Sequence, residues 1–171
     1  FKKQTLIDRT LKFIFSNIIG PIKYRKILKS YKPDVSISFL FVDNFINILS
    51  NIGNKNTQVI VSAHSIPSTN AKFVQFLIKI LYNKADLVIA VSRGVRDELI
   101  RDFNIKPEKI RVIYNPVDVE KIQNLAREEV NDEWFDGKLP IIINVGRLAE
   151  PKGQWHLIRA FSEVRKIKQC Q

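Results

Sequence analysis

Two basic side chains, Arg147 and Lys152, lie in a short loop that is suited to binding a phosphate or diphosphate. The loop follows the branched run at 141–145 and precedes a helical pattern that begins after Gly153. A short run of this kind ending at a glycine, here Gly146, predicts a strand buried on both faces. Open α/β sheets bind ligands at the carboxyl ends of their strands, and the N–H groups of a helix start attract anions. The pattern therefore indicates an anion site.

The same residues also have an ordinary structural interpretation. Arg147 could form an ion pair with Glu150, and Lys152 could be a solvated surface lysine. Spacing alone leaves the structural and the anion-binding interpretations open.

The composition excludes several classes of protein. With 171 residues, 45% hydrophobic and 26% charged, the chain is typical of globular proteins and has no apolar run long enough to span a bilayer. The single cysteine, Cys170, cannot form an internal disulfide, which favours a reducing compartment. Two histidines and no paired carboxylate spacing predict no metal site and no cofactor. The chain starts with Phe1 and ends within a helical pattern, so we expect an internal piece of a longer protein.

Positive charge is concentrated near the start of the chain. The formal net charge is +11, and residues 1–32 contain nine Lys or Arg side chains against one acid, Asp8. An apolar stripe over 4–19 predicts a helix that Gly20 ends, and Pro21 starts another helix. These helices could pack on a sheet with solvated outer faces, or form a basic surface that docks on anionic lipid head groups.

Alternating strand and helix patterns fill the rest of the chain. Strands are predicted to begin near residues 35, 58, 87, 110 and 141, with helical patterns in every gap. Ser92, and Asp43 or Asn44, are predicted helix caps. This alternation of strands and helices predicts an α/β protein with a mostly parallel, doubly wound sheet. A polar segment divides it into a first domain at 1–128, a linker at 129–139 and the start of a second domain at 140–171.

Four segments carry a resemblance to a known family. PDVSISFL, NKADLVIAVSRGVRDELI, KIRVIYNPVD and VGRLAEPKG occur in that order and resemble the retaining GT-B glycosyltransferases of family 4. The sequences of these segments are most similar to those of bacterial enzymes that build surface polysaccharides and lipid-linked oligosaccharides. The resemblance implies an incomplete Rossmann-like acceptor-side domain, followed by the first β-α unit of a truncated, Rossmann-like donor-binding domain.

The resemblance also implies roles for individual residues. Gly146, Arg147 and Lys152 occupy the positions that bind the diphosphate of the nucleotide-sugar donor in the family. His64, in VSAHSIP, matches a histidine that faces the cleft near the transferred sugar, although a lone loop histidine is commonly a hydrogen-bonded surface group. The family's glycine-rich loop and its late pair of glutamates are missing, so we expect this piece alone to be inactive.

The function expected from the resemblance is retaining hexosyl transfer from a nucleotide-sugar to a lipid-linked or surface-polysaccharide acceptor. The protein would be cytoplasmic, and residues 1–32 are the candidate contact with the inner face of the cytoplasmic membrane. The alternative is a basic α/β module that binds nucleic acid or a protein partner without catalysis. The chain has no P-loop, no zinc spacing and no basic stripe interleaved with aromatics, so nucleic acid is not the expected partner.

Overall fold

The computed structural model describes residues 18–130, 132–135, 137 and 139–170. The chain divides after Pro116 into two units, Phe1–Pro116 and Val117–Gln171. The helix predicted over 4–19 lies outside the described residues except for Ile18 and Ile19. The domain boundary at 129–139 stays a prediction.

A four-stranded parallel sheet forms the centre of the first unit. Its strands are adjacent in chain order. They are β1 (Val35–Phe39), β2 (Gln58–Ala63), β3 (Leu87–Ala90) and β4 (Ile110–Val112). The α/β class and the four strand positions predicted in this unit are confirmed.

Helices precede or connect these strands. They are α1 (Gly20–Tyr31), α2 (Phe41–Asn51), α3 (Lys72–Leu81) and α4 (Arg93–Arg101). Because each strand lies beside the previous one in the same direction, right-handed crossovers place α2, α3 and α4 on one face of the sheet. Accordingly, Ile48 of α2, Ile78 of α3 and Leu99 of α4 are buried in one core with alternate side chains of β2 and β3.

Two of the predicted helix boundaries are wrong, and one is confirmed. Ile18 and Ile19 have helical backbone that leads directly into α1, so Gly20 does not end a helix there. Asn44 does not cap α2, because that helix already begins at Phe41 and the Asn44 side chain is fully buried. Ser92 does cap α4, since its Oγ accepts a hydrogen bond from the Val95 N–H at 3.2 Å.

The edge strand β1 buries polar rather than apolar side chains. Ser36 and Ser38 are buried, whereas Val35, Ile37 and Phe39 are 41%, 52% and 54% exposed. Asn47 on α2 forms hydrogen bonds with both buried serines. Its Nδ2 donates to the Ser36 carbonyl at 3.0 Å and to Ser38 Oγ at 3.1 Å. Ser36 Oγ in turn donates to Asn47 Oδ1 at 2.6 Å. Hydrogen bonds therefore take the place of apolar packing between this strand and α2.

Asn44 extends these contacts into the middle of the unit. Ser38 Oγ donates to Asn44 Oδ1 at 2.8 Å, and Asn44 Nδ2 donates to the Ser62 carbonyl and to the Tyr82 hydroxyl, both at 2.9 Å. We call Ser36, Ser38, Asn44, Asn47 and Tyr82 the buried polar cluster. Among the described residues no buried side-chain nitrogen or oxygen lacks a hydrogen-bond partner, so each polar atom of the cluster has at least one.

Tyr82 makes the stability of this unit sensitive to alkali. Burial raises the pKa of its hydroxyl far above the ordinary value, and the hydrogen bond with Asn44 lowers it by less. Above about pH 10 the unfolded chain loses this proton while the folded chain keeps it. We expect the free energy of unfolding to fall with rising pH there, by about 1.4 kcal/mol per pH unit from this group.

Denaturant titrations of wild type and Tyr82→Phe between about pH 10 and 11 test this prediction. In the Tyr82→Phe variant, the free energy of unfolding should fall less steeply with pH, because the contribution of the Tyr82 hydroxyl is absent. Tyr31→Phe, at a side chain that is 82% exposed, should keep it. Equal slopes in wild type and Tyr82→Phe would contradict the prediction.

The second unit contains α5 (Val119–Leu125) and α6 (Gln154–Arg165), with short 3-10 turns at Glu133–Phe135 and Glu150–Lys152. The strand predicted at 141–145 is not formed, and Ile143 and Val145 are 64% and 91% exposed. A strand requires a hydrogen-bonded neighbour, and no described residue pairs with this segment. In the described part of the chain, no helix combines the length and the apolarity needed to cross a membrane.

Candidate functional site

His64 lies at the carboxyl end of the sheet, where it was predicted. It directly follows Ala63, the last residue of β2, and its side chain is exposed. The ring of Phe39, the last residue of β1, meets the imidazole edge-on with centroids 5.5 Å apart. Among the described residues none forms a hydrogen bond with the imidazole, and the alternative of an ordinary surface histidine stays open. Its catalytic role stays a prediction.

A buried carboxylate fixes the loop that begins at His64. Glu98 on α4 is 6% exposed, and its Oε1 accepts a hydrogen bond from the Ser68 N–H at 3.0 Å. Gln75 Nε2 at the start of α3 donates to the carbonyls of Ser68 and Asn70 at 2.9 and 2.7 Å. Two helices therefore hold the loop in one conformation, and this limits where His64 can lie.

Leu40, which follows β1 at the same edge, has strained backbone. Its φ of 69° and ψ of 159° fall in a region that is essentially restricted to glycine. The side chain is 60% exposed, so packing of that side chain does not explain the conformation. The Leu40 carbonyl accepts the Asn44 N–H at 3.0 Å, which ties the strained residue to the first turn of α2. Sequence reasoning missed this position, because the usual signal would be a glycine.

Leu40→Gly should stabilise the protein. Relief of the strained conformation is worth more than the added flexibility of glycine in the unfolded chain, and we expect a net gain of about 1 kcal/mol. Asn104→Gly is the matched control. Asn104 has a φ of 55° in a region that asparagine tolerates, so its replacement should change stability little. Urea denaturation measures the free energy of unfolding of both variants. A lower value for Leu40→Gly than for wild type would show that the backbone at Leu40 is not strained.

The predicted anion loop of the second unit folds against the start of α6. Gln154 Nε2 donates to the Arg147 carbonyl at 2.7 Å. A Cβ added to Gly146 would lie 3.3 Å from that Nε2 and 3.8 Å from Lys152 Cγ, so the glycine permits a close approach. Gly153, with a φ of 67°, then leads into α6. The local fold thus brings Gly146, the backbone of Arg147 and the stem of Lys152 together.

The charged ends of this loop are exposed, as an anion site requires. Arg147 and Lys152 are both exposed, and no ion pair forms between Arg147 and Glu150, which removes the main structural alternative for Arg147. The first turn of α6 has no side-chain cap, and the His156 N–H already donates to the Gly153 carbonyl at 2.9 Å, so the N–H groups of Gln154 and Trp155 are the ones that could face an anion. Convergence of the guanidinium and the ammonium on one phosphate stays a prediction.

An adjoining cavity of about 340 Å³ has a different lining, which includes Glu150, Gln154 and His156 but not Arg147 or Lys152. Sequence reasoning assigned no function to Trp155 or His156, and their positions in the first turn of α6 add none. The Trp155 ring instead packs under the guanidinium of Arg159, whose Cζ is 3.8 Å from the ring centroid.

A parallel sheet with exposed polar side chains at its carboxyl ends defines an α/β protein of the Rossmann-like class, in which ligands bind at that edge. A sequence profile of Glycosyltransferase Family 4 matches residues 6–121, which is more than half of the chain. The chain belongs to this family, and the resemblance found in the sequence is confirmed.

Individual relatives agree with this assignment. The chain is 30% identical over 153 residues to an N-acetylgalactosamine-N,N'-diacetylbacillosaminyl-diphospho-undecaprenol 4-alpha-N-acetylgalactosaminyltransferase of Campylobacter jejuni, with 84% of this chain and 40% of that protein aligned. It is 28% identical over 158 residues to an uncharacterised glycosyltransferase of Methanocaldococcus jannaschii, with 83% and 38% aligned. The chain thus spans about two fifths of the length of these two relatives.

A solved structure has the same fold. The crystal structure of a glycosyltransferase from Rickettsia africae matches 99% of this chain and 43% of its own, with a TM-score of 0.57 and 17% identity. At this identity the likeness shows the fold alone, and it supports the parallel α/β architecture.

Proposed function

We propose that the protein containing this chain transfers a sugar from a nucleotide-sugar donor to a lipid-linked or surface-polysaccharide acceptor. The observation that carries the proposal is membership of Glycosyltransferase Family 4 over residues 6–121. The name of the Campylobacter relative describes an acceptor bound to undecaprenol through a diphosphate. An acceptor of this chemistry suits a bacterial polysaccharide or oligosaccharide pathway.

Arg147 and Lys152 would stabilise the leaving group. When the bond between the anomeric carbon and the phosphate oxygen breaks, negative charge builds on the departing diphosphate. Fixed cations held beside a helix start interact more strongly with that charge than with the ground state, which lowers the barrier. A guanidinium can bind two phosphate oxygens at once, and the ammonium adds a point charge. These cations would take the role that a metal ion has in other transferases, so we expect no metal and no cofactor.

His64 would act on the acceptor side of the reaction. It lies at the carboxyl end of β2 on a loop that Glu98 and Gln75 hold in place. The edge contact with Phe39 restricts the orientations of the ring. An exposed imidazole at this position can donate a hydrogen bond to the sugar being transferred or accept one from the acceptor hydroxyl. We expect transfer of a hexose-type sugar with retention of its anomeric configuration.

The reaction would take place at the cytoplasmic face of the membrane. A lipid-linked acceptor is held in the bilayer, so a transferase has to work at the membrane surface to reach it. The basic residues of α1, which include Lys23, Lys26 and Lys29, would favour a surface of anionic lipid.

The test is a transfer assay on the full-length protein with labelled nucleotide-sugars and a polyprenyl-diphosphate-linked saccharide. His64→Ala should lower kcat by at least about tenfold. Ser65→Ala is the matched control, because Ser65 is the next exposed residue of the same loop. Absence of transfer from every nucleotide-sugar would refute the proposed function. Equal kinetics of the His64 and Ser65 variants would refute the role of His64.

A further inference from the structure

A second concave site lies at the amino end of the sheet, away from His64. Its cavity of about 320 Å³ opens between the last turns of α1 and the loop that joins α2 to β2. Its lining includes Arg25, Lys29, Lys32, Asn54, Asn56 and Thr57. Thr57 precedes β2 and His64 follows it, so the length of the strand separates the two sites by roughly 20 Å. We call this cavity the amino-end pocket.

The pocket concentrates positive charge. Three of its lining side chains are cationic, and none of the described residues that line it is acidic. Basic residues in the last turn of a helix commonly offset the helix dipole, and Lys29 of α1 fits that explanation. Arg25 Nη2 donates to the carbonyl of Ile52, the C-cap residue of α2, at 2.8 Å, so one nitrogen of the guanidinium serves that helix end.

The wall opposite α1 is built by hydrogen bonds that need no ligand. Asn54 Nδ2 donates to Asn51 Oδ1 and to Thr57 Oγ1, both at 3.0 Å, and Asn54 Oδ1 accepts the Asn56 N–H at 3.1 Å. Thr57 Oγ1 donates to the Pro33 carbonyl at 2.8 Å and so connects the wall to the segment that follows α1. The pocket therefore has a preformed shape, which reduces the entropy lost when a ligand binds.

Gly53 lies beside Arg25 at the entrance of the pocket, and its φ of 80° favours glycine there. The Ile52 carbonyl holds the guanidinium in place through one nitrogen, and the remaining N–H groups of that side chain are available to an anion. Leu28 and Ser50, which are 4% and 1% exposed, close the base of the pocket.

We propose that the amino-end pocket binds a phosphate-bearing anion, either a soluble diphosphate or the phosphate of a lipid head group. A fixed guanidinium with two nearby ammonium groups is the combination that proteins use for phosphate oxygens. The pocket belongs to the first unit, whereas the loop of Arg147 and Lys152 belongs to the second. Within the first unit, the pocket is separate from the edge that carries His64.

The experiment measures two probes on the full-length protein in an Arg147→Ala background, so that the loop of the second unit does not contribute. Calorimetry with inorganic pyrophosphate reports a soluble anion. Co-sedimentation with phosphatidylcholine vesicles, with and without phosphatidylglycerol, reports a lipid head group. The pocket variant is Arg25→Gln with Lys29→Gln and Lys32→Gln. The matched control removes the same charge elsewhere in the unit, through Lys72→Gln, Lys79→Gln and Lys106→Gln.

We expect the pocket variant to bind at least about tenfold more weakly than the control variant. Selective loss of pyrophosphate binding supports a soluble diphosphate, and selective loss of vesicle binding alone supports a lipid head group. Equal losses in the two variants would mean that diffuse charge is responsible and would overturn the proposal, as would failure of both probes to bind. Because Arg25 also holds the Ile52 carbonyl, Lys29→Gln with Lys32→Gln serves as a second variant if circular dichroism shows the triple variant unfolded.

Discussion

Arg147→Ala in the full-length protein should lower kcat for sugar transfer by about a hundredfold or more. A preorganised cation that meets developing charge stabilises the transition state more than the bound donor. The loop itself should keep its fold in this variant, because Gln154 bonds to the backbone carbonyl of Arg147 and not to its side chain. The loss would then report the guanidinium and not a collapsed loop.

Two further variants make the interpretation specific. Arg147→Lys keeps the charge but loses the two-point geometry, so its turnover should fall between those of wild type and Arg147→Ala. Arg127→Ala removes an exposed arginine from the same unit and should leave turnover unchanged. Steady-state kinetics with the nucleotide-sugar varied separates kcat from KM. If Arg147→Ala and Arg127→Ala behave alike, Arg147 does not contact the diphosphate.

Asn44→Ala should lower the free energy of unfolding by about 3 kcal/mol, the largest stability effect we expect. The side chain is fully buried and makes hydrogen bonds to Ser38, Ser62 and Tyr82. Alanine would leave the Ser62 carbonyl and both hydroxyl groups short of a partner in an environment that excludes water. An unsatisfied buried polar group costs more than the hydrogen bond contributed, so the effect exceeds that of an ordinary cavity of this size.

Urea denaturation monitored by circular dichroism measures this effect, with Asn115→Ala as the control at an exposed asparagine. The control should change stability by less than about 0.5 kcal/mol. A loss of similar size in both variants would indicate that the buried polar cluster contributes little, and that water replaces the Asn44 amide.

The strands of the first unit could be predicted because their local and tertiary preferences agree. In β2 and β3 the apolar runs around Val61 and Val88 lie in the middle of the sheet, where both neighbours supply hydrogen bonds. The run at 141–145 has the same local character but no described partner, and strand formation depends on that partner. The hydrophobic pattern of the sequence therefore could not distinguish the strands that form, β2 and β3, from the run at 141–145 that does not form one.

Two other features left no usable signal in the sequence. Asn44 resembled a helix cap because asparagine precedes many helices, and only the three-dimensional contacts show it as a buried hydrogen-bonding centre. Leu40 occupies a conformation that sequence reasoning assigns to glycine. Tertiary contacts place Asn44, and the residue type at Leu40 gives no sign of its backbone conformation, which is why neither could be found from residue type and spacing.

The candidate site was predictable in position but not in orientation. His64 follows a strand, and the end of a parallel strand is a fixed place in this fold, so its location at the carboxyl edge could be predicted. The directions of the Arg147 and Lys152 side chains depend on rotamers that spacing does not determine. The amino-end pocket was missed altogether, because its cations and its polar wall are far apart in the sequence.

The serines of β1 have a consequence for how the sheet is assembled. A shift of β1 by one residue would turn Val35, Ile37 and Phe39 toward the helices, and hydrophobicity alone would favour that misaligned pairing. The amide of Asn47 opposes the shift, because it matches Ser36 and Ser38 only when both hydroxyls face it. The hydrogen bonds of one buried amide thus select the alignment of this strand that hydrophobicity alone would not.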